Sequence, residues 1–235
     1  MSTTQQVTAS RLVAIVGGTG AGKGWMANRL CKLLGEQACH LSLDNFYRDR
    51  SHLAPAKRAH VNFDVPRAID WARAGQVLDD CLAGQPTRVP NYDFTTHTRL
   101  ADMPKWQPKP VIFVEGLWLL WHPPVRRLFA LKIYLDCPAP LRLSRRKARD
   151  IAERGRTADT VERAFKKIAP LHERYVEPQK KWADIVLPQP FSEAAITLLS
   201  ESLWAVLQAS PLTSWRPETL RTDLLTSLKA NEYTD

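Results

Sequence analysis

Gly17-Gly18-Thr19-Gly20-Ala21-Gly22-Lys23-Gly24 follows an apolar run, Leu12-Val13-Ala14-Ile15-Val16, and precedes a segment, Trp25 to Leu34, that can continue as a helix. A glycine-rich turn between a strand and a helix N-terminus points backbone N–H groups at a phosphate, and the helix dipole favours the anion. The spacing G-x-x-x-x-G-K is that of a P-loop, with Lys23 placed to reach the β- and γ-phosphates. One position departs from the pattern. The lysine is normally followed by Ser or Thr, whose hydroxyl binds Mg²⁺, and here Gly24 follows it. A tight glycine turn without a ligand would account for the glycines, but not for Lys23 or the preceding strand.

Outward from this loop, short apolar runs alternate with helical patterns. Residues 12–16 predict a first strand and 23–34 its helix. Ala38 to Leu43 predicts a second strand, ending at Asp44. Asp64-Val65-Pro66 predicts a turn, followed by a helix from Ala68 to about Leu82. Gln85 to Arg99 carries β-branched and aromatic residues between turn formers and predicts a hairpin excursion. Val111-Ile112-Phe113-Val114 and Leu131 to Leu135 are continuous apolar runs, the mark of buried parallel strands. Helices are predicted from Leu141 to Arg154, Thr160 to Ile168, His172 to Lys181 and Glu193 to Leu207, with a last strand over 185–187. The expected fold is therefore α/β, a P-loop nucleoside triphosphate hydrolase-like three-layer fold with a parallel sheet. Residues 1–210 form its domain, with a hairpin insertion at about 85–100 and a helical lid at about 142–168. Residues 211–235 are a polar tail in which Pro217 to Leu228 can form a helix.

The 235 residues and 44% hydrophobic content suffice for one sizeable core. Apolar runs are short and broken by charge, and Met1 to Ser10 lacks an apolar signal region, so neither a membrane span nor a leader is expected, and the default location is cytoplasmic. Cys31, Cys39, Cys81 and Cys137 have no zinc or disulfide spacing. The net charge of +9 favours an anionic partner. Seven basic residues fall between Arg142 and Arg156, against Asp150 and Glu153. A solvated helix face would read the same way, but a lid over phosphates uses such a cluster. No zinc-finger or RNP-type pattern supports nucleic-acid binding.

Phosphoryl transfer needs a phosphate cradle, a metal, an oriented acceptor hydroxyl and neutralisation of developing charge. Gly17 to Lys23 supplies the cradle. Asp44 ends a strand and is a candidate base for the acceptor hydroxyl, with a turn cap as its plainer reading. Glu115 ends a buried strand, where a carboxylate is costly without a cation, and is a candidate for Mg²⁺ or its waters. Arg146, Arg149, Arg154 and Arg156 are rigid donor forks, and Arg154-Gly155-Arg156 sits at a flexible point that suits a closing lid. Tyr92, Asp93, Phe94 and His97 form an aromatic-polar cluster able to stack on a base, or simply to fill a hairpin core.

With these blocks in place, the chain resembles the uridine–cytidine kinase branch of the phosphoribulokinase/uridine kinase family, from about Val13 to Pro188. Beyond the P-loop the resemblance rests on Ser42-Leu43-Asp44-Asn45-Phe46-Tyr47, Asn62-Phe63-Asp64-Val65-Pro66, Val89-Pro90-Asn91-Tyr92-Asp93-Phe94 with His97 and Arg99, and Phe113-Val114-Glu115-Gly116. It continues through Arg142-Leu143-Ser144-Arg145-Arg146, Arg149-Asp150-Ile151, Glu153-Arg154-Gly155-Arg156 and Pro178 to Asp184. It implies transfer of phosphate from ATP or GTP, with Mg²⁺, to the 5′-hydroxyl of uridine or cytidine. It implies Asp44 as base, Lys23, Arg146, Arg149 and Arg154 as catalytic cations, and nucleotide binding by residues 17–25 (Gly17, Gly18, Thr19, Gly20, Ala21, Gly22, Lys23, Gly24 and Trp25) with Arg154. It implies acceptor binding by Asp44, Tyr47, Phe63, Asp64, Tyr92, Phe94, His97, Arg146, Arg149 and Arg156, with self-association of the chain. The departures are Gly24, Trp25 in place of a small hydroxyl residue, and Ala164 where relatives often carry glutamine. They leave two alternatives open: a kinase for another small alcohol, or a non-catalytic nucleotide-binding regulator.

Overall fold

The computed structural model describes residues 9–58, 60–103 and 105–209. The polar tail and its expected helix over 217–228 lie outside them. Along the chain come β1 (Arg11–Gly17), α1 (Lys23–Leu34), β2 (Ala38–Ser42), α2 (Pro55–Arg58), α3 (Trp71–Leu82), β3 (Thr87–Arg88), β4 (Tyr92–Asp93), β5 (Thr98–Arg99) and β6 (Lys105–Trp106). They are followed by β7 (Val111–Gly116), α4 (Pro123–Arg126), β8 (Leu131–Asp136), α5 (Ala139–Arg154), α6 (Ala158–Leu171), β9 (Ile185–Pro188) and α7 (Glu193–Ala209).

Five strands form one parallel sheet in the order β2-β7-β1-β8-β9. The strands are apolar throughout because both faces are covered. On one face Val13, Ile15, Phe113 and Ile133 pack under α1 and α7 through Met26, Leu30, Ile196 and Leu199. On the other, Leu12, Ala14, Ile112 and Tyr134 meet Val77 and Leu78 of α3 and an aromatic group around Tyr47 and Trp118. These faces make the three layers that the alternating pattern predicts. All five strands run the same way, so Gly17, Ser42, Glu115 and Asp136 gather at one edge, where ligands of such sheets bind. No helix among the described residues is long and apolar enough to cross a membrane.

Three local readings are corrected. The helix expected from Ala68 starts at Trp71. Pro66–Ala68 forms a 3-10 turn, and Asp70 caps α3 by accepting from the Arg73 N–H at 3.2 Å. The excursion expected at about 85–100 reaches residue 106, because a second ladder, β3 with β6, encloses the β4–β5 hairpin. The helix expected over His172–Lys181 is a π turn over His172–Val176 followed by a 3-10 turn over Glu177–Trp182. Pro170 and Pro178 lack the N–H that regular α-helical bonding needs. The buried Gln179 amide takes up backbone groups instead, donating to the Leu117 and Tyr175 carbonyls and accepting from the Leu120 N–H.

Candidate active site

The loop after β1 is shaped from behind by α5. Gly20 has φ +80°, and a Cβ there would lie 2.2 Å from the Arg142 carbonyl oxygen. Glycine is required at this position by both backbone and space. Arg142 is buried, donates to the Cys137 carbonyl at 3.0 Å and closes over Gly18. Lys23 at the start of α1 donates to the Gly18 carbonyl at 3.1 Å and so spans the loop. Gln189 donates to the Ala21 carbonyl at 2.6 Å and accepts from Arg145. Trp25 is exposed and stacks on Phe191 at 6.3 Å. At Gly24 an added Cβ would meet nothing within 4 Å, so the missing hydroxyl leaves open space.

Two carboxylates face this loop. Asp44 lies in the 3-10 turn after β2, whose start is capped by Ser42. Burial, and next the charge of Glu115, push the Asp44 carboxyl up to about 6, against the pull of Lys23, Arg154 and Arg149. Glu115 is on β7 opposite Ser42 of β2 and accepts from the Ser42 hydroxyl at 2.6 Å. Burial alone would raise its pKa, but His40, Lys23 and Ser42 hold it below the ordinary carboxylate range. Desolvation also lowers the ammonium pKa of Lys23, which the two acids partly offset. Two mutually repelling acids that share one lysine suit a divalent cation. Among the described residues no cluster of three or more His, Cys, Asp or Glu side chains could hold a metal alone. Mg²⁺ needs no such cage, because it binds through one or two carboxylates together with phosphate oxygens and water.

The aromatic group sits beside Asp44. Tyr47 is buried among Phe63 (5.9 Å), Tyr92 (5.3 Å), Phe94 (6.0 Å) and Trp118 (6.3 Å). Burial, then Asp44, push its phenol well above the usual value. His97 stacks on Phe63 at 4.3 Å and has φ +57°, a conformation uncommon outside glycine. The Tyr92 hydroxyl and His97 Nδ1 are buried without a hydrogen-bond partner, whereas Phe94 is exposed at the rim. Arg99 holds the hairpin in place by donating to the Tyr47 carbonyl at 3.0 Å and to Asp70 at 3.0 Å.

The arginines converge on Asp150. Arg149 donates twice to its Oδ1, at 2.9 and 2.8 Å, and Arg156 donates to Oδ2 at 3.2 Å. Arg146 and Arg154 stand 3.6 Å away. Arg146 also reaches the Thr19 hydroxyl at 3.4 Å and so ties α5 to the loop. Desolvation raises the Asp64 carboxyl, against the pull of the Arg146 and Lys167 charges. Ala164 lies half-buried on α6. The structure thus groups the loop, Asp44, Glu115 and the aromatics along one edge, with the arginines gathered around Asp150 at the end of α5. Sequence reasoning assigned no role to Asp150, Ser42, Arg142 or His40. A signal existed for Asp150, an acid inside a basic run. None existed for His40, which acquires its neighbours only when β2 pairs with β7.

The family match and the relatives make this chain a P-loop phosphotransferase with a hydroxyl acceptor. The chain belongs to the phosphoribulokinase/uridine kinase family, whose model matches residues 12–195. It is 37% identical over 204 residues to a uridine kinase of Halobacterium salinarum, covering 86% of this chain and 90% of that one. A uridine kinase of Staphylococcus carnosus is also 37% identical over 204 residues, covering 86% and 98%. A solved phosphoribulokinase from Rhodobacter spheroides shares the fold, with a TM-score of 0.56 at 16% identity over 78% of this chain and 71% of that one. D-glycerate 3-kinase from Cryptococcus neoformans gives 0.54 at 16% identity over 77% and 85%.

Proposed function

We propose that this protein transfers the γ-phosphoryl group of ATP to the 5′-hydroxyl of a pyrimidine ribonucleoside, uridine or cytidine, forming the 5′-monophosphate and ADP. The observation that carries the acceptor is the pocket beside Asp44. It offers aromatic faces with two unpartnered polar atoms, Tyr92 Oη and His97 Nδ1. Buried polar atoms are almost always satisfied, and a pyrimidine edge satisfies these two while its ring packs on Tyr47 or Phe94. Relatives named uridine kinase at 37% identity support the same acceptor.

Asp44 takes the proton of the 5′-hydroxyl as its oxygen bonds to the γ-phosphorus and the bond to the β-bridging oxygen breaks. A carboxyl near 6 is ionised at neutral pH, yet more basic than a surface aspartate. Lys23 and the loop N–H groups hold the β- and γ-phosphates. Arg146, Arg149 and Arg154 neutralise charge on the moving phosphoryl group, and Arg156 with Asp64 orients the acceptor. Mg²⁺, when bound through Glu115 and phosphate oxygens, supplies further charge neutralisation. Cation-dependent formation of uridine or cytidine 5′-monophosphate from ATP, with products separated directly, tests this reading. Absence of both products in folded, nucleotide-binding protein would replace it with another acceptor or a silent binder.

A further inference from the structure

On the α1 side of the sheet, the strands bury Val13, Ile15, Val111 and Phe113, and β2 begins in the same way with Ala38. Two residues on, facing the same side, stands His40. A polar ring on such a face is costly unless it has partners. Its Nδ1 lies 3.1 Å from the Oδ1 of Asn28 on α1, and its Nε2 lies 3.8 Å from Oε1 of Glu115. The Nε2 atom is buried and makes no direct hydrogen bond. Ser42, next on the same strand face, donates to that same Oε1. Ser42 therefore bonds Oε1 of Glu115, and the buried Nε2 of His40 stands 3.8 Å from the same oxygen. Asn28 lies one helical turn beyond Gly24, the position that lacks the hydroxyl and has open space around it.

We propose that His40, anchored by Asn28, is a positioning residue that fixes the Glu115 carboxylate for the divalent cation and makes up for the missing hydroxyl at position 24. The proposal rests on Glu115 being the metal-holding acid. A site with one fewer side-chain ligand depends more on the orientation of the ligand that remains. Partners of ligating carboxylates commonly change metal affinity by tenfold to a hundredfold. An imidazole held at one nitrogen presents the other in a fixed direction.

The test is Mn²⁺ binding to the full-length protein with ADP, followed by electron paramagnetic resonance without any nucleoside present. His40→Leu is expected to weaken Mn²⁺ binding about tenfold while leaving metal-free ADP binding unchanged. His40→Gln, which keeps a polar group facing Glu115, is expected to retain most of the affinity. Gly24→Thr is expected to recover most of the loss in the His40→Leu background and to add much less to the unaltered protein. Asn28→Ala, at an exposed position, gives a milder loss and serves if His40→Leu does not fold. Unchanged Mn²⁺ affinity in folded His40→Leu or in Asn28→Ala overturns the proposal. An equal gain from Gly24→Thr in both backgrounds overturns the compensation. Glu115→Gln is the control: if it leaves Mn²⁺ binding intact, the reading of Glu115 itself has failed.

Discussion

Asp44 carries a stability cost that goes with the role proposed for it. Its carboxyl is held near 6 by burial and by Glu115, above the roughly 3.9 of an unfolded aspartate. Between those values the folded state binds more proton than the unfolded one, so Asp44 costs stability progressively as pH rises through that window. Asp44→Asn is therefore expected to raise the melting temperature at pH 8 by a few degrees, on the order of 1 kcal/mol after allowance for partial exposure. The same change is expected to lower turnover by about 10²–10⁴-fold. A variant that melts lower, or that turns over normally, refutes this account. In the unaltered enzyme turnover should fall as pH drops below about 6, where Asp44 becomes protonated. His97 is held in a left-handed conformation while its ring stacks on Phe63. Backbone strain of this type is tolerated where a site needs it.

At the scale of elements, the end of α5 is the part whose behaviour the sequence only suggested. Gly155 adopts φ +60° and ends the helix, with the Gly155 and Arg156 N–H groups both donating to the Asp150 carbonyl. That turn brings Arg154 and Arg156 back onto the Asp150 side chain, which is fully buried. Asp150→Asn keeps the shape and removes the charge that gathers the guanidiniums. It is expected to cost about 2 kcal/mol of stability and to lower turnover more than tenfold, with a smaller change in nucleotide KM. A change in KM alone would assign Asp150 to ground-state binding. The π turn after α6 makes a separate prediction. Burial first, and then the Arg142 charge, hold the His172 imidazole down to about 4. The unfolded chain, with a value near 6.5, binds the proton first, so stability is lost as pH falls from about 6.5 toward 4. By pH 5 the loss amounts to about 2 kcal/mol. Denaturant titrations at pH 7.5 and 5 should show it, and His172→Asn should remove most of the difference.

At the scale of the molecule, one parallel sheet carries both core faces and the edge where the candidate site lies, so a ligand bound along that edge should stabilise the fold as a unit. ATP at about 100 times its Kd is expected to add about 2.7 kcal/mol, a rise of roughly 5–10 °C in melting temperature. Calorimetry with and without nucleotide measures it, and an unshifted transition would mean that the loop does not bind. Much of this architecture could be read in advance, because its signals are local. A glycine run with a lysine at fixed spacing, strands that are apolar because both faces are covered, and carboxylates at strand ends each appear within a few residues. Lys23, Asp44 and Glu115 stand out as candidates for that reason, and Tyr92 and His97 through the family resemblance; their roles are those proposed above. The proline-rich stretch after α6 was read as helix because periodicity does not reveal which backbone groups Gln179 will satisfy. The double ladder was read as one hairpin because two-residue strands carry almost no pattern. The sequence by itself determined the class of fold, the phosphate loop and the family. Only the tertiary structure decided that four arginines share Asp150, that Arg142 forces glycine at position 20, and that His40 stands behind Glu115. The first needs the turn at Gly155 to fold nearby arginines back onto one acid; the other two join residues far apart in the chain, which only sheet pairing and helix docking bring together.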